Sequence, residues 1–317
     1  MTRFRFVVLS LGPPAILVAA YTLCFPAADR EQATQTAILV DAETRAALAR
    51  SGRQDALSEA CAEAARDVLS SLPPSTHVVI RPPFVIAGDL PEAELERLHN
   101  EIVLPVTQSL WRSYFDRKPD APVTIVALGS ESSFAVAAAE LDGYESSAYA
   151  GYTQRGKRRI VVNLATGRGT LAHELCHVLA LFDFPDMPEW FDEGLASLHE
   201  EAVFSNDRLT LVGERNWRSH LLSEALSRQQ LPALESVIRN PAFRGEGEGL
   251  NYALVRGFCH YLQERGLLSH FYRKFRDGVQ ADPTGIVTLC ELLNVATIAE
   301  VDRQFREWLA LGNQARK

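Results

Sequence analysis

The sequence predicts an α+β fold in which a small mixed β-sheet with helices is followed by an all-helical C-terminal part. Three observations lead there. Short β-branched runs bounded by Pro, Gly and Asp recur between residues 77 and 164. Helical apolar spacing alternates with them at 91–118 and 130–141. From Thr170 onward only helical spacing is found, and the change falls at Gly167-Arg168-Gly169.

The chain opens with Arg3 and Arg5 ahead of the uncharged stretch Phe6 to Ala28. A helix of that length reaches across a hydrocarbon core of about 30 Å. It reads as a cleavable secretory signal, with Val18-Ala19-Ala20 as a small-residue exit, or as an uncleaved membrane anchor. Either way the two arginines stay in the cytoplasm and the remainder is exported. Residues 29–75 form a separate helical segment, Ala-rich from Asp41 to Leu72 and ended by Pro73-Pro74.

The elements of the main part, 76–317, follow in order. His77 to Ile80 and Phe84 to Ala87 are a strand pair broken by Pro82-Pro83. Pro91 opens a helix that runs to about Lys118, with Leu95, Leu98, Ile102, Val106 and Leu110 on one face. Val123 to Leu128 is a strand and Ser130 to Leu141 a helix. Tyr149 to Thr153 and Arg159 to Leu164 form a hairpin around Gly156, with Lys157-Arg158-Arg159 read as a solvated turn. This α/β portion, 76–166, precedes the helical portion, 167–317.

Composition narrows the function. The net charge is -8, which speaks against a nucleic-acid partner, since binders of that kind carry a basic patch or stripe. No two of the 5 cysteines form a C-x-x-C pair, which speaks against a structural zinc knuckle. Four of them follow the export segment, where at most one disulfide, or only free buried thiols, is expected.

The chemistry is concentrated in the first helix after Gly169. It carries His173-Glu174-Leu175-Cys176-His177, an H-E-x-x-H pattern. Residues four apart on a helix share a face, so two imidazoles there can converge on one ion at about 2.0–2.1 Å. Glu174 sits beside that face as a general base. Leu171, Leu175, Val178, Leu179 and Phe182 supply the apolar side, and Thr170 is a candidate cap. The bland alternative is a buried, hydrogen-bonded histidine pair.

A catalytic zinc takes three protein ligands and keeps one position open. The segment Trp190-Phe191-Asp192-Glu193-Gly194-Leu195-Ala196 reads as a second helix opened by Pro188, after a turn at Phe184-Pro185-Asp186. Glu193 is the first candidate for the third ligand, with Asp192 and His199 as rivals. Gly194 and Ala196 are small enough for close helix approach.

HELCH followed by WFDEGLA resembles the gluzincin zinc metallopeptidases. More narrowly, residues 77–265 are similar to the peptidase MA-like family of bacterial exported proteins, through FVIAGDLP, AYAGYTQ, RIVVNLATGRGTLAHELCHVL, PEWFDEGLASLHE and NYALVRGFCHYLQERG. The resemblance implies a zincin-like fold, one zinc per chain held by His173, His177 and Glu193, and Glu174 as general base. It implies a tyrosine or histidine from a later helix as oxyanion donor, for which Tyr252 is the candidate and His260 the weaker one. It also implies an edge strand at Arg159 to Leu164 that pairs with extended peptide. No match to the G-x-M-E-N motif of the large aminopeptidases is present.

The expected function is an exported zinc metallopeptidase, extracytoplasmic and either secreted or anchored by residues 6–28, acting on peptide or unfolded protein. The alternative is a non-catalytic, zinc-stabilised binding or assembly module of the cell envelope. An intact Glu174 disfavours it, because a structural site needs no base and closes with four ligands.

Overall fold

The computed structural model describes residues 51–144, 150–245 and 247–314. The stretch Phe6 to Ala28 expected to direct export, the helix start near Asp41, and Tyr149 lie outside them. Contacts divide the chain into Met1–Ala56, of which 51–56 are described and helical, and a second unit, Leu57–Lys317. No helix among the described residues is long and apolar enough to cross a membrane.

The second unit is α+β. A mixed sheet of five strands has the order β1-β2-β3-β5-β4. Its strands are β1 (His77–Arg81), β2 (Phe84–Gly88), β3 (Val123–Leu128), β4 (Gly151–Gln154) and β5 (Arg159–Asn163). β1 and β4 are the edges, each antiparallel to its neighbour, while β2, β3 and β5 run parallel, so Arg159 to Leu164, expected as an edge strand, is paired on both sides and the edge beside it is β4. The three central strands are fully buried, which explains their near-continuous apolar composition.

Alternation sorts the two faces of the sheet. Ile86, Ile125, Ile160 and Val162 join the large core beneath helices α2 (Glu92–Leu98), α3 (Leu104–Ser113) and α5 (Gly169–Asp183). Ala87, Val126 and Val161 turn the other way, toward α4 (Glu131–Asp142), and Val85 packs on Cys61 and Ala65 of the helix at 57–70, α1. Leu95, Leu98, Ile102, Val106 and Leu110 are all buried, as their spacing requires. The helix they lie on passes through a π-turn at His99–Val103 and ends at Ser113, short of Lys118. It stops there because the main-chain N–H groups of Asp116 and Arg117 donate to Asp183 Oδ1 instead, at 2.9 and 2.8 Å.

The C-terminal region is helical: α5, α6 (Glu189–Glu200), α7 (Arg218–Ser227), α8 (Leu234–Ile238), α9 (Glu248–Glu264), α10 (Leu268–Gly278), α11 (Ile286–Leu293) and α12 (Ile298–Gln314). It also holds a two-stranded hairpin, β6 (Ala202–Phe204) with β7 (Leu211–Gly213), which the all-helical expectation did not include. Strands of three residues are too short to show a period. α6 packs against both α5 and α9. A Cβ on Gly194 would meet Cys259 Sγ at 2.9 Å and the Val255 carbonyl oxygen at 3.0 Å. The glycine thus permits close approach of α6 to α9, not of α6 to α5.

Two local expectations are corrected. Thr170 does not cap α5; the cap position is Arg168, with no side-chain hydrogen bond. Arg159 is not solvated. It is buried and pairs with Asp142, also donating to the Leu141 carbonyl at 3.1 Å. Cys61, Cys176, Cys259 and Cys290 are free thiols, and Cys24 lies outside the described residues.

Candidate metal centre

α5 is a 15-residue helix with one face against the sheet and the other against α6. Its apolar residues Leu171, Leu175, Val178 and Leu179 are buried, which fixes the helix about its axis and aims His173 and His177 at α6. Their rings meet edge-on with centroids 4.7 Å apart and Nε2 atoms 3.0 Å apart. α6 is seated by Trp190 and Phe191, both buried among Phe271 and Phe275 of α10, and Trp190 Nε1 donates to the Thr284 carbonyl. That seating brings Glu193 Oε2 to 3.5 Å from His173 Nε2 and 3.6 Å from His177 Nε2.

His173, His177 and Glu193 are therefore a group that could hold a metal ion. Ligands about 2.0–2.1 Å from a tetrahedral ion stand about 3.3 Å from one another. The observed separations of 3.0, 3.5 and 3.6 Å bracket that spacing. Glu193 Oε2 is buried with no hydrogen-bond partner. Burying such an acceptor unpaired is costly, and a cation between it and the two rings removes the cost.

Electrostatics agree with the donor set. Burial alone would lower the ionisation of His177, but Asp192 and Glu193 outweigh it and hold the ring well above the usual histidine range. Burial alone would raise Glu193, yet His177 and then His173 hold its carboxyl well below the usual range. A His177 ring inclined to carry a proton beside an anionic Glu193 carboxylate already shows the charge pattern that a cation replaces.

The rival ligands are elsewhere. Asp192 faces the far side of the ring, with Oδ1 2.8 Å from His177 Nδ1. It stands beside the outer nitrogen of a candidate ligand, as carboxylates do beside histidines in metal sites. Arg155, just past the end of β4, donates to Asp192 Oδ2 at 2.9 Å. His199 is buried beside Tyr114, 3.1 Å from its hydroxyl. Burial and Arg256 push its ionisation down to about 4, so it stays neutral. His260 also lies apart, against Glu264 and Trp308.

Glu174 is buried next to His173. Its Oε2 accepts from Thr153 Oγ1 at 2.7 Å. Thr153 is placed by strand parity: it pairs with Ile160 and shares that residue's α5-facing side, while Tyr152 pairs with Val161 and turns to Asp142 on the opposite side. Tyr252 lies in the first turns of α9, partly buried against Phe243. Burial, then the Glu193 carboxylate, push its ionisation up, so it keeps its proton beside the candidate ligands.

Sequence reading did not anticipate Thr153, Arg155 or Arg244. Arg244 donates through Nη2 to Glu193 and through Nε to Glu189 Oε1 at 2.8 Å. Period-two alternation supplies the side of the strand on which Thr153 stands, but no local signal says that Glu174 lies opposite. Compared with protein families and with curated proteins, the chain matches none.

Proposed function

We propose that this protein is an exported zinc-dependent metallopeptidase of the gluzincin type, hydrolysing peptide bonds in unfolded protein or peptide. The observation that carries the reading is the convergence of His173 Nε2, His177 Nε2 and Glu193 Oε2 within 3.0–3.6 Å, next to a buried glutamate that is not needed as a ligand. Zinc suits two nitrogens and one oxygen, and when bound it supplies Lewis acidity and an acidified water. Glu174 accepts a proton from the attacking water and returns it to the departing amine. Thr153 occupies its Oε2, which leaves Oε1 for that transfer. Tyr252, kept protonated, donates a hydrogen bond to the negative oxygen that develops on the scissile carbonyl. Asp192 Oδ1, 2.8 Å from His177 Nδ1, favours the proton on that nitrogen, so Nε2 presents its lone pair.

The chain's Arg3 and Arg5 and its uncharged stretch to Ala28 support export, as a signal or a single anchor. The net charge of -8 supports a partner other than nucleic acid.

The test is Glu174→Gln with zinc content matched to wild type and unfolded casein as substrate near neutral pH. Hydrolysis is expected to fall by about 10²–10⁴-fold, the usual loss of a general base. Equal rates would remove Glu174 from that role. A zinc-loaded wild type that cleaves nothing would favour the non-catalytic envelope module.

A further inference from the structure

Glu193 has two carboxylate oxygens in different surroundings. Oε2 is buried, has no hydrogen-bond partner, and faces both histidine nitrogens at 3.5 and 3.6 Å. Oε1 accepts from Arg244 Nη2. The same guanidinium is anchored a second time, Nε to Glu189 Oε1 at 2.8 Å. Glu189 precedes Glu193 by four residues on α6, so the two carboxylates stand on one helix face about 5–6 Å apart at Cβ. One planar fork spans both. Lysine, a point charge on a flexible stem, does not reproduce that geometry.

A catalytic zinc needs an open position beside three protein ligands. A carboxylate that binds through both oxygens takes up a further position at the metal. We propose that Arg244 is a positioning residue that claims Oε1 of Glu193 and so keeps this ligand to one oxygen, preserving the open position. The inference rests on the metal reading above. A cation beside a dication is unfavourable, but two features soften it. The Arg244 side chain is 51% exposed, so solvent screens its charge, and Glu189 neutralises it locally.

The experiment uses the full chain, stripped by a chelator and reloaded with one equivalent of Co²⁺, whose visible absorption is intense in four-coordinate sites and severalfold weaker in five-coordinate ones. Wild type is expected to give the intense spectrum. Arg244→Met is expected to lose intensity severalfold while the melting temperature of the metal-free protein stays near wild type. Arg244→Lys keeps the charge but cannot bridge both carboxylates, and it is expected to resemble the Met variant. Superimposable spectra for wild type and Arg244→Met would overturn the inference and leave the metal reading intact. A wild-type spectrum in Arg244→Lys alone would assign the effect to charge and overturn it as well. A wild type that takes up neither Co²⁺ nor Zn²⁺ would fail at the earlier step, the metal centre itself.

Discussion

Thr153 Oγ1 stands 2.7 Å from Glu174 Oε2 and hydrogen-bonds it across the gap between the edge strand β4 and helix α5. A buried carboxylate that is to accept a proton needs a defined orientation, and here an element outside its own helix supplies it. Arg155, two residues on, reaches Asp192 and through it His177. One end of one strand thus holds both the proposed base and the support of a proposed ligand.

Thr153→Val should therefore lower kcat for casein hydrolysis roughly ten- to a hundredfold, the value of a hydrogen bond to a charged group. Thr153→Ser, which keeps the hydroxyl, should restore most of it. Zinc content should be unchanged in both. A valine variant at wild-type rate would show that the contact has no part in turnover.

The ligand set can be ranked by metal retention. His177→Ala should abolish zinc binding, because two ligands do not define a site. Glu193→Gln should come next. Asp192→Asn should weaken zinc by about 10–100-fold without abolishing it, as expected for a partner of a ligand. Dialysis against a graded chelator series measures the order. Asp192→Asn proving worse than Glu193→Gln would exchange their roles.

A third expectation concerns acid stability. Burial alone would raise the ionisation of Asp183, but Arg276, the main-chain N–H groups of Arg117 and Asp116, and Tyr272 outweigh it and hold the carboxyl below the usual range. A group depressed in the folded state contributes stability above its unfolded value of about 3.9, and that contribution is lost as pH falls through the folded value. Asp183→Asn should cost about 1.5–3 kcal/mol at neutral pH, since it removes the charged acceptor of a hydrogen bond from Arg276, which keeps Asp116 and Asp277 as partners. It should also flatten the decline in unfolding free energy below about pH 5. Urea titrations of both proteins at several pH values check this; parallel pH curves would exclude Asp183 as the source.

The parts legible in the sequence are those with a local cause. Val123 to Leu128 is an unbroken buried run between turn residues, and the strand has those bounds. The face Leu95 to Leu110 declares its helix through spacing alone, although the π-turn within it leaves no mark in the pattern. His173 and His177 are legible because one helix carries both. Glu193 could be ranked over Asp192 but not separated from it, since the choice depends on the rotation that buried Trp190 and Phe191 impose on α6. Arg159 misled because a charge in a turn normally faces water, whereas its partner Asp142 comes from another element. Arg244 was hidden for the same reason: its partners lie 51 and 55 residues away in the chain.

Gly194 follows Glu193, and its missing Cβ lets α6 lie against the Val255 carbonyl of α9. A methyl group there has to displace something, because it would stand 2.9 Å from Cys259 Sγ and 3.0 Å from that oxygen. The least resisted adjustment lifts α6 away from α9 by a few tenths of an ångström, carrying Glu193 with it. Constellations of this kind tolerate roughly 0.5 Å. Position 194 thus acts as a gauge block: it sets the height at which the carboxylate meets the two imidazoles, though its own residue bears no functional group at all.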